Sequence, residues 1–255
     1  EAFRRFILTD QPTVPAYWRR MRALNQAGAA PLAGLAEPRP MTAAAVEHAA
    51  GHDALIVDAR EPEVFAAGHI PGSFGIGLGD TFGTWVGSVV PADRELILVL
   101  THDDDLAPAL AQLRRAGYDR VAGYLVGGFD AWQASGNDIA RLDTRSADDL
   151  APDIASGAVR VLDVREGSEW RAGHIPGAIH IPGGALPRRL DEVPSDRPLA
   201  VVCAGGYRST VAASVLERAG RDHLINLNGG VTAYEGAGNA LVADETPARP
   251  KEIHA

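Results

Sequence analysis

Cysteine is nearly absent from this chain: a single thiol, Cys203, in 255 residues. An internal disulfide is thereby excluded, and a reducing compartment suits the protein. Cations are short as well, with 24 Lys and Arg against 33 Asp and Glu and a net charge of −9. That balance argues against a general nucleic-acid binder or a protein of anionic membrane surfaces. No apolar run approaches the ~20 residues needed to cross a bilayer. The opening stretch, EAFRRFILTD, is mixed and charged rather than a secretory signal, so a cytoplasmic protein is expected. Glu1 stands where a methionine would start a complete chain, which is expected of a fragment or a processed form. What the sequence has is 46% hydrophobic residues, enough for two soluble domains of ordinary size.

The most informative stretch is LAVVCAGGYRS, residues 199–209. Four apolar residues run into Cys203, a glycine-rich loop follows, and residues 210–219 read as a helix. In a strand–loop–helix unit the loop amides and the helix N-terminus converge on one spot that attracts anions. A thiol there loses its proton readily, because the N–H groups stabilise the thiolate, and the thiolate is the nucleophile. A lone cysteine after a strand is commonly just a small buried apolar residue. The two glycines and Arg208 that follow are not what a packed structural thiol requires. Cys203 is therefore the candidate nucleophile, with Ala204, Gly205, Gly206, Tyr207, Arg208 and Ser209 as its substrate-binding loop.

An internal repeat starts at Thr42. Asp58-Ala59-Arg60-Glu61 matches Asp163-Val164-Arg165-Glu166, and Gly68-His69-Ile70-Pro71-Gly72 matches Gly173-His174-Ile175-Pro176-Gly177, both 105 residues apart. Leu113 pairs with Leu216 at 103, and Gly127-Gly128 with Gly229-Gly230 at 102. A period of this size is a domain, not a solenoid repeat. Each copy opens on a helix capped by Thr42 or Ser146. A buried strand follows at 54–58 or 159–163, then a polar helical stretch, and a short strand at 73–78 or 178–181. The central strand covers 96–100 or 199–202, and a helix ends at Gly117 or Gly220. A last strand at 121–125 or 224–227 leads into Gly-Gly and a final helix. Alternating strands and helices imply a parallel sheet covered on both faces.

Asp-x-Arg-Glu, Gly-His-Ile-Pro-Gly, the cysteine loop and Gly-Gly together resemble rhodanese-type sulfurtransferases, over roughly residues 42–240. The spacing Cys203-x4-Arg208 is one residue shorter than the Cys-x5-Arg of tyrosine-phosphatase-like enzymes, and suits a sulfur-sized substituent. The resemblance implies an α/β chain of two tandem rhodanese-like domains, at 42–140 and 141–255. It also implies transfer of sulfane sulfur through a Cys203 persulfide, with no cofactor. Thiosulfate, a polysulfide or a low-molecular-weight persulfide would be the donor, and a thiol, sulfite or cyanide the acceptor. A phosphatase or arsenate reductase of the same fold is one alternative. A non-catalytic sulfur-carrier or docking module is the other.

The two copies differ at the cysteine. Alignment through Leu113 and Leu216 sets Leu100 opposite Cys203, and Thr101 to Leu106 opposite the loop, with Asp103, Asp104 and Asp105 where the second copy has Gly206, Tyr207 and Arg208. Clustered carboxylates would repel an anionic donor, so the first copy is expected to be silent, its acidic loop merely capping the next helix. Asp163 and Arg165 are expected to pair locally and support the loops around the pocket, and His174 to fix its turn. Trp132 and Tyr234 read as core. Arg208 either contacts substrate or ties the loop to a carboxylate.

Residues 1–41 stand apart. Phe3, Phe6, Ile7 and Leu8 form an apolar cluster, and Pro15, Tyr17, Trp18, Met21 and Leu24 follow at near-helical spacing. The stretch GAAPLAGLAEPRP reads as a linker. One reading is an arm that packs on the first domain. The other is a resemblance to the last helix and exit linker of a metallo-β-lactamase-fold domain, which implies such a domain upstream as a partner. That family's His-x-His-x-Asp-His motif is missing among the eight histidines, so no catalytic metal is expected here.

Overall fold

The computed structural model describes residues 3–4, 14–28 and 31–243. They form two units of the same plan. The first contains β1 (Arg39–Met41), α2 (Ala43–Ala50), β2 (Leu55–Asp58), α3 (Pro62–Ala67), β3 (Phe74–Gly75), α4 (Phe82–Val89), β4 (Leu96–Val99), α5 (Leu106–Arg115), β5 (Val121–Leu125) and α6 (Gly128–Ala134). The second contains β6 (Asp143–Arg145), α7 (Ala147–Ala155), β7 (Arg160–Asp163), α8 (Gly167–Ala172), β8 (Ile179–His180), β9 (Leu199–Val202), α9 (Tyr207–Arg218), β10 (Leu224–Leu227) and α10 (Gly230–Gly236). An additional helix, α1 (Tyr17–Ala27), precedes both. The sheets run β1-β5-β4-β2-β3 and β6-β10-β9-β7-β8, with every pair parallel.

The packing follows from side-chain alternation. In a strand, successive residues face opposite sides of the sheet. In β4, Leu96 and Leu98 enter one apolar core while Ile97 and Val99 enter another. In β9, Leu199, Val201 and then Cys203 face the first of these cores, while Ala200 and Val202 face a third. The two sheets thus share a single core between them, and each keeps its own on the far side. Cys203 belongs by parity to the shared core, at the junction of the units.

Several boundaries move. The capped helices form as expected: the Thr42 Oγ1 accepts from Ala45 N–H, and the Ser146 Oγ from Asp149 N–H. The strand before each cap was not legible. Arg39–Met41 pairs with β5, so the linker ends sooner and the first sheet starts before residue 42. A strand with Pro40 in it survives because it lies at the sheet edge, where one row of N–H groups is not needed. Asp143–Arg145 does the same beside β10. The short strands shrink to Phe74–Gly75 and Ile179–His180, and α9 begins at Tyr207, three residues earlier than expected. Helix α4 was missed altogether; its glycines make room for the Gln112 carbonyl at Gly83 and the Tyr17 ring at Gly87.

Helix α1 packs on the first unit. Arg20 donates to the Ala116 carbonyl at 2.7 Å and lies 4.6 Å over the Tyr118 ring. The packed-arm reading describes these residues. Phe3 is exposed, and Phe6, Ile7 and Leu8 lie outside the described residues. No helix among the described residues is long and apolar enough to cross a membrane.

Candidate active site

Strand β9 delivers Cys203 to the end of the sheet, and Gly206 turns the chain into α9. Gly206 has φ 113°, a left-handed conformation that favours glycine. The turn aims its N–H back at the strand, where it donates to Cys203 Sγ at 3.0 Å. Ser209 sits one helical turn on, with Oγ 3.5 Å from the sulfur. Cys203 is only 1% exposed. Of the loop amides, that of Gly206 is the one hydrogen-bonded to the sulfur. The N–H groups of Tyr207, Arg208 and Ser209 occupy the first helical turn, which has no intrahelical acceptors of its own.

Arg208 does not reach into open space. Its guanidinium forms a bidentate pair with Glu169, at 2.6 and 2.7 Å. The Arg208 contact holds the Glu169 carboxyl below its usual range despite the opposing effect of burial. In return Glu169 raises the Arg208 guanidinium against burial, and Cys203 adds in the same direction. Arg208 thus pairs with a carboxylate while also interacting with Cys203. Tyr207 also leaves the loop: its hydroxyl donates to the Gly77 carbonyl of the first unit at 3.0 Å. Burial pushes its phenol up to about 12, with Thr81 opposing and Glu61 adding.

Ser209 Oγ lies 2.8 Å from the Gly206 carbonyl and 2.7 Å from Asn226 Oδ1, with a single proton to donate. Asn226 comes from β10, is buried, and reaches Thr210 on its other side. The loop is also clamped from behind, where Val231 N–H donates to the Cys203 carbonyl at 2.8 Å.

Asp163 and Arg165 pair as expected, at 2.6 Å, and Arg165 also donates to the Gly173 carbonyl at 2.7 Å. This fastens the strand end to Gly-His-Ile-Pro-Gly. Asp58, Arg60 and Gly68 repeat the device in the first copy. His174 Nδ1 faces the Trp170 carbonyl at 3.0 Å and its ring stacks on Trp170, fixing the turn. Trp132 and Tyr234 are core. Among the described residues no group of three or more His, Cys, Asp or Glu is placed to share a metal ion.

In the first copy, Leu100 follows β4 as Cys203 follows β9, and is buried. Asp103–Asp105 forms a short 3-10 turn, with His102 N–H donating to Asp105 at 3.0 Å. The partner residues that sequence reasoning missed are Glu169, Asn226 and Gly77. A signal existed for Asn226, the one polar residue within Leu224–Leu227, and for Glu169, three residues after Glu166 at a helix start. Nothing local pointed to Gly77.

A cleft opens beside this loop. Its walls come from α3 of the first unit, from Leu142 of the connection, and from Thr144, Gly205, Gly206 and Asn226 of the second.

This arrangement, a strand-end cysteine in a short glycine turn within a doubled parallel α/β unit, defines a class. The rhodanese-like domain family matches residues 42–135 and again 146–237. The chain belongs to that family and carries two copies of its domain. A sulfurtransferase of Allochromatium vinosum is 36% identical over 87 residues, covering 34% of this chain and 81% of its own length. The thiosulfate sulfurtransferase GlpE of Shewanella oneidensis is 34% identical over 92 residues, 36% of this chain and 91% of its own. Among solved structures, a thiosulfate sulfurtransferase of Pseudomonas aeruginosa is similar at 23% identity and a TM-score of 0.38, over 81% of this chain and 44% of that one.

Proposed function

We propose that the protein is a sulfurtransferase that carries sulfane sulfur as a persulfide on Cys203. The observation that supports this most is the Gly206 N–H aimed at Cys203 Sγ at 3.0 Å, at the edge of an interdomain cleft. The Cys203 thiolate attacks the outer sulfur of a donor such as thiosulfate, a polysulfide or a low-molecular-weight persulfide. A sulfur–sulfur bond forms to Cys203 as the donor's own bond breaks, and the leaving group (sulfite, for thiosulfate) takes the electron pair. The acceptor, a thiol, sulfite or cyanide, then attacks the terminal sulfur and Cys203 departs as thiolate. This is two-step covalent catalysis and implies ping-pong kinetics. The Gly206 N–H and the first turn of α9 stabilise the negative sulfur, in the manner of an oxyanion hole.

The loop suits sulfur better than a phosphate monoester, because it is one residue short and its one arginine is neutralised by Glu169. The first copy, with Leu100 at the nucleophile's position, serves as a structural partner. The likeness of residues 1–41 to the tail of a metallo-β-lactamase-fold domain supports an upstream partner that exchanges sulfur with this site.

Intact mass after treatment with thiosulfate, polysulfide and an organic persulfide tests the reading. One sulfur atom is gained on the wild type and none on Cys203→Ala, and thiocyanate forms from thiosulfate and cyanide. Absence of the added sulfur with all three donors would overturn it.

A further inference from the structure

The cleft beside Cys203 is built by both copies. Helix α3 of the silent copy contributes Pro62, Glu63 and Ala66, facing Gly205, Gly206 and Asn226 of the active one. Its volume is about 270 Å³, near the small end for ligand sites, so it suits a small molecule. Of the side chains lining it, only Glu63 is charged, and it is exposed. A second carboxylate, Glu61, stands just before the same helix and acts on the Tyr207 phenol in the first turn of α9. The one cation of the loop, Arg208, is held by Glu169 through two short hydrogen bonds. The cleft against the Cys203 loop is therefore a low-polarity slot with an unbalanced negative charge at its rim.

We infer that the silent copy supplies the specificity element of the active one: Glu63 selects small sulfur acceptors by charge, favouring thiols that carry an amino group over thiols that carry a carboxylate. This rests on the persulfide reading above. In the step concerned, the acceptor thiolate attacks the terminal sulfur of the Cys203 persulfide. The new sulfur–sulfur bond forms as the bond to Cys203 breaks, and the thiolate of Cys203 leaves with the electron pair. A carboxylate several ångströms from that path changes the local concentration of a singly charged acceptor by about threefold per unit of charge in a water-like dielectric, and by less at high salt. Glu63 touches no reacting atom; it acts on what enters.

The test uses the whole chain with Cys203 loaded as persulfide. Single-turnover sulfur release is measured, per thiolate, to cysteamine, 2-mercaptoethanol and mercaptoacetate at low salt. The wild type should rank them in that order, with the two ends separated by about tenfold, two charge units at the factor above. Glu63→Gln should narrow the spread to about threefold or less, and Glu63→Lys should reverse the order. An unchanged order and spread in both variants would overturn the inference while leaving the persulfide reading intact. A second readout does not need the persulfide: alkylation of Cys203 by neutral iodoacetamide relative to anionic iodoacetate. That ratio should fall severalfold in Glu63→Lys, and a constant ratio would count against a charge filter even if no persulfide forms.

Discussion

His69 in the first copy sets Nε2 2.9 Å from Glu217 Oε2 in the second, across 148 positions of sequence. The imidazole is fully buried, and its Nδ1 faces the Phe65 carbonyl at 2.9 Å. The other Glu217 oxygen accepts from Gly72 N–H at 3.3 Å, and Arg218 donates to the Gly72 carbonyl at 2.8 Å. The Gly-His-Ile-Pro-Gly turn of the first copy thus grips the last turn of α9, whose first turn follows the cysteine loop. Tyr207 ties that first turn to Gly77. One helix is pinned to the neighbouring unit at both ends, which is how the copy without a cysteine fixes the position of the one that has it.

Removing the grip should cost stability. Glu217→Ala leaves a buried imidazole nitrogen without its partner and the Gly72 N–H without its acceptor, a loss of about 1–3 kcal/mol. Chemical denaturation should show the midpoint falling with little change in slope. The rate of persulfide formation at low temperature should fall less than twofold, since no group at the sulfur is touched. An unaltered midpoint would mean the contact contributes nothing.

The Arg208–Glu169 pair predicts a pH dependence. The folded-state value of Glu169 lies below its unfolded value, chiefly because of the Arg208 hydrogen bond. Stability from this group is therefore present above the ordinary glutamate value of ~4.3 and is lost as pH falls through the lower, folded one. Glu169→Gln should flatten the stability curve in that acid window. It should also free the guanidinium, so that kcat/KM for thiosulfate rises relative to an uncharged donor. Equal acid sensitivity in variant and wild type would refute the assignment.

Three glycine-to-alanine changes should separate space from backbone strain. Gly205 has open space and ordinary backbone, so alanine there should fold normally. Gly206 also has space, but at φ 113° alanine is strained by about 1 kcal/mol or more. Its cost should appear in sulfur transfer as well, because the N–H on Cys203 Sγ shifts. At Gly230, φ +59°, an added methyl would overlap the Cys203 carbonyl directly. The order of melting temperatures should be Gly205→Ala, then Gly206→Ala, then Gly230→Ala lowest.

Much of this was legible before any coordinates. The repeat, the parallel strands and the loop after Cys203 are written as local patterns: apolar runs, glycine positions and a cap at Thr42 or Ser146. Pairing of Asp163 with Arg165 is likewise local, two residues apart at a strand end. What could not be read depends on contacts distant in sequence. Arg39–Met41 is too short and too polar to announce a strand, and exists because β5 offers an edge. Glu169 meets Arg208 across 39 positions and Tyr207 meets Gly77 across 130. The burial of Cys203 in a core shared by both sheets follows from strand parity plus the docking of the two units, and only the parity is local.

Whether the first copy differs from the second only in lacking a thiol is tested by giving it one. Leu100 occupies the position of Cys203, follows the matching strand and is equally buried, so Leu100→Cys should fold with modest loss, a leucine-sized cavity being only partly filled. The turn around it is different. Asp103 takes the place of Gly206 in a 3-10 turn preceded by extended His102, so no left-handed residue directs an N–H back at the new sulfur. Three carboxylates follow within five residues of the anion that must form, and their charge opposes its ionisation. In a Cys203→Ala background, Leu100→Cys should therefore gain no sulfur from thiosulfate and should alkylate slowly at neutral pH. Replacing Thr101 to Leu106 with the Ala204 to Ser209 sequence should raise the alkylation rate at least tenfold. If Leu100→Cys alone became persulfidated at a rate near that of Cys203, the turn and its N–H would not be what makes the sulfur reactive.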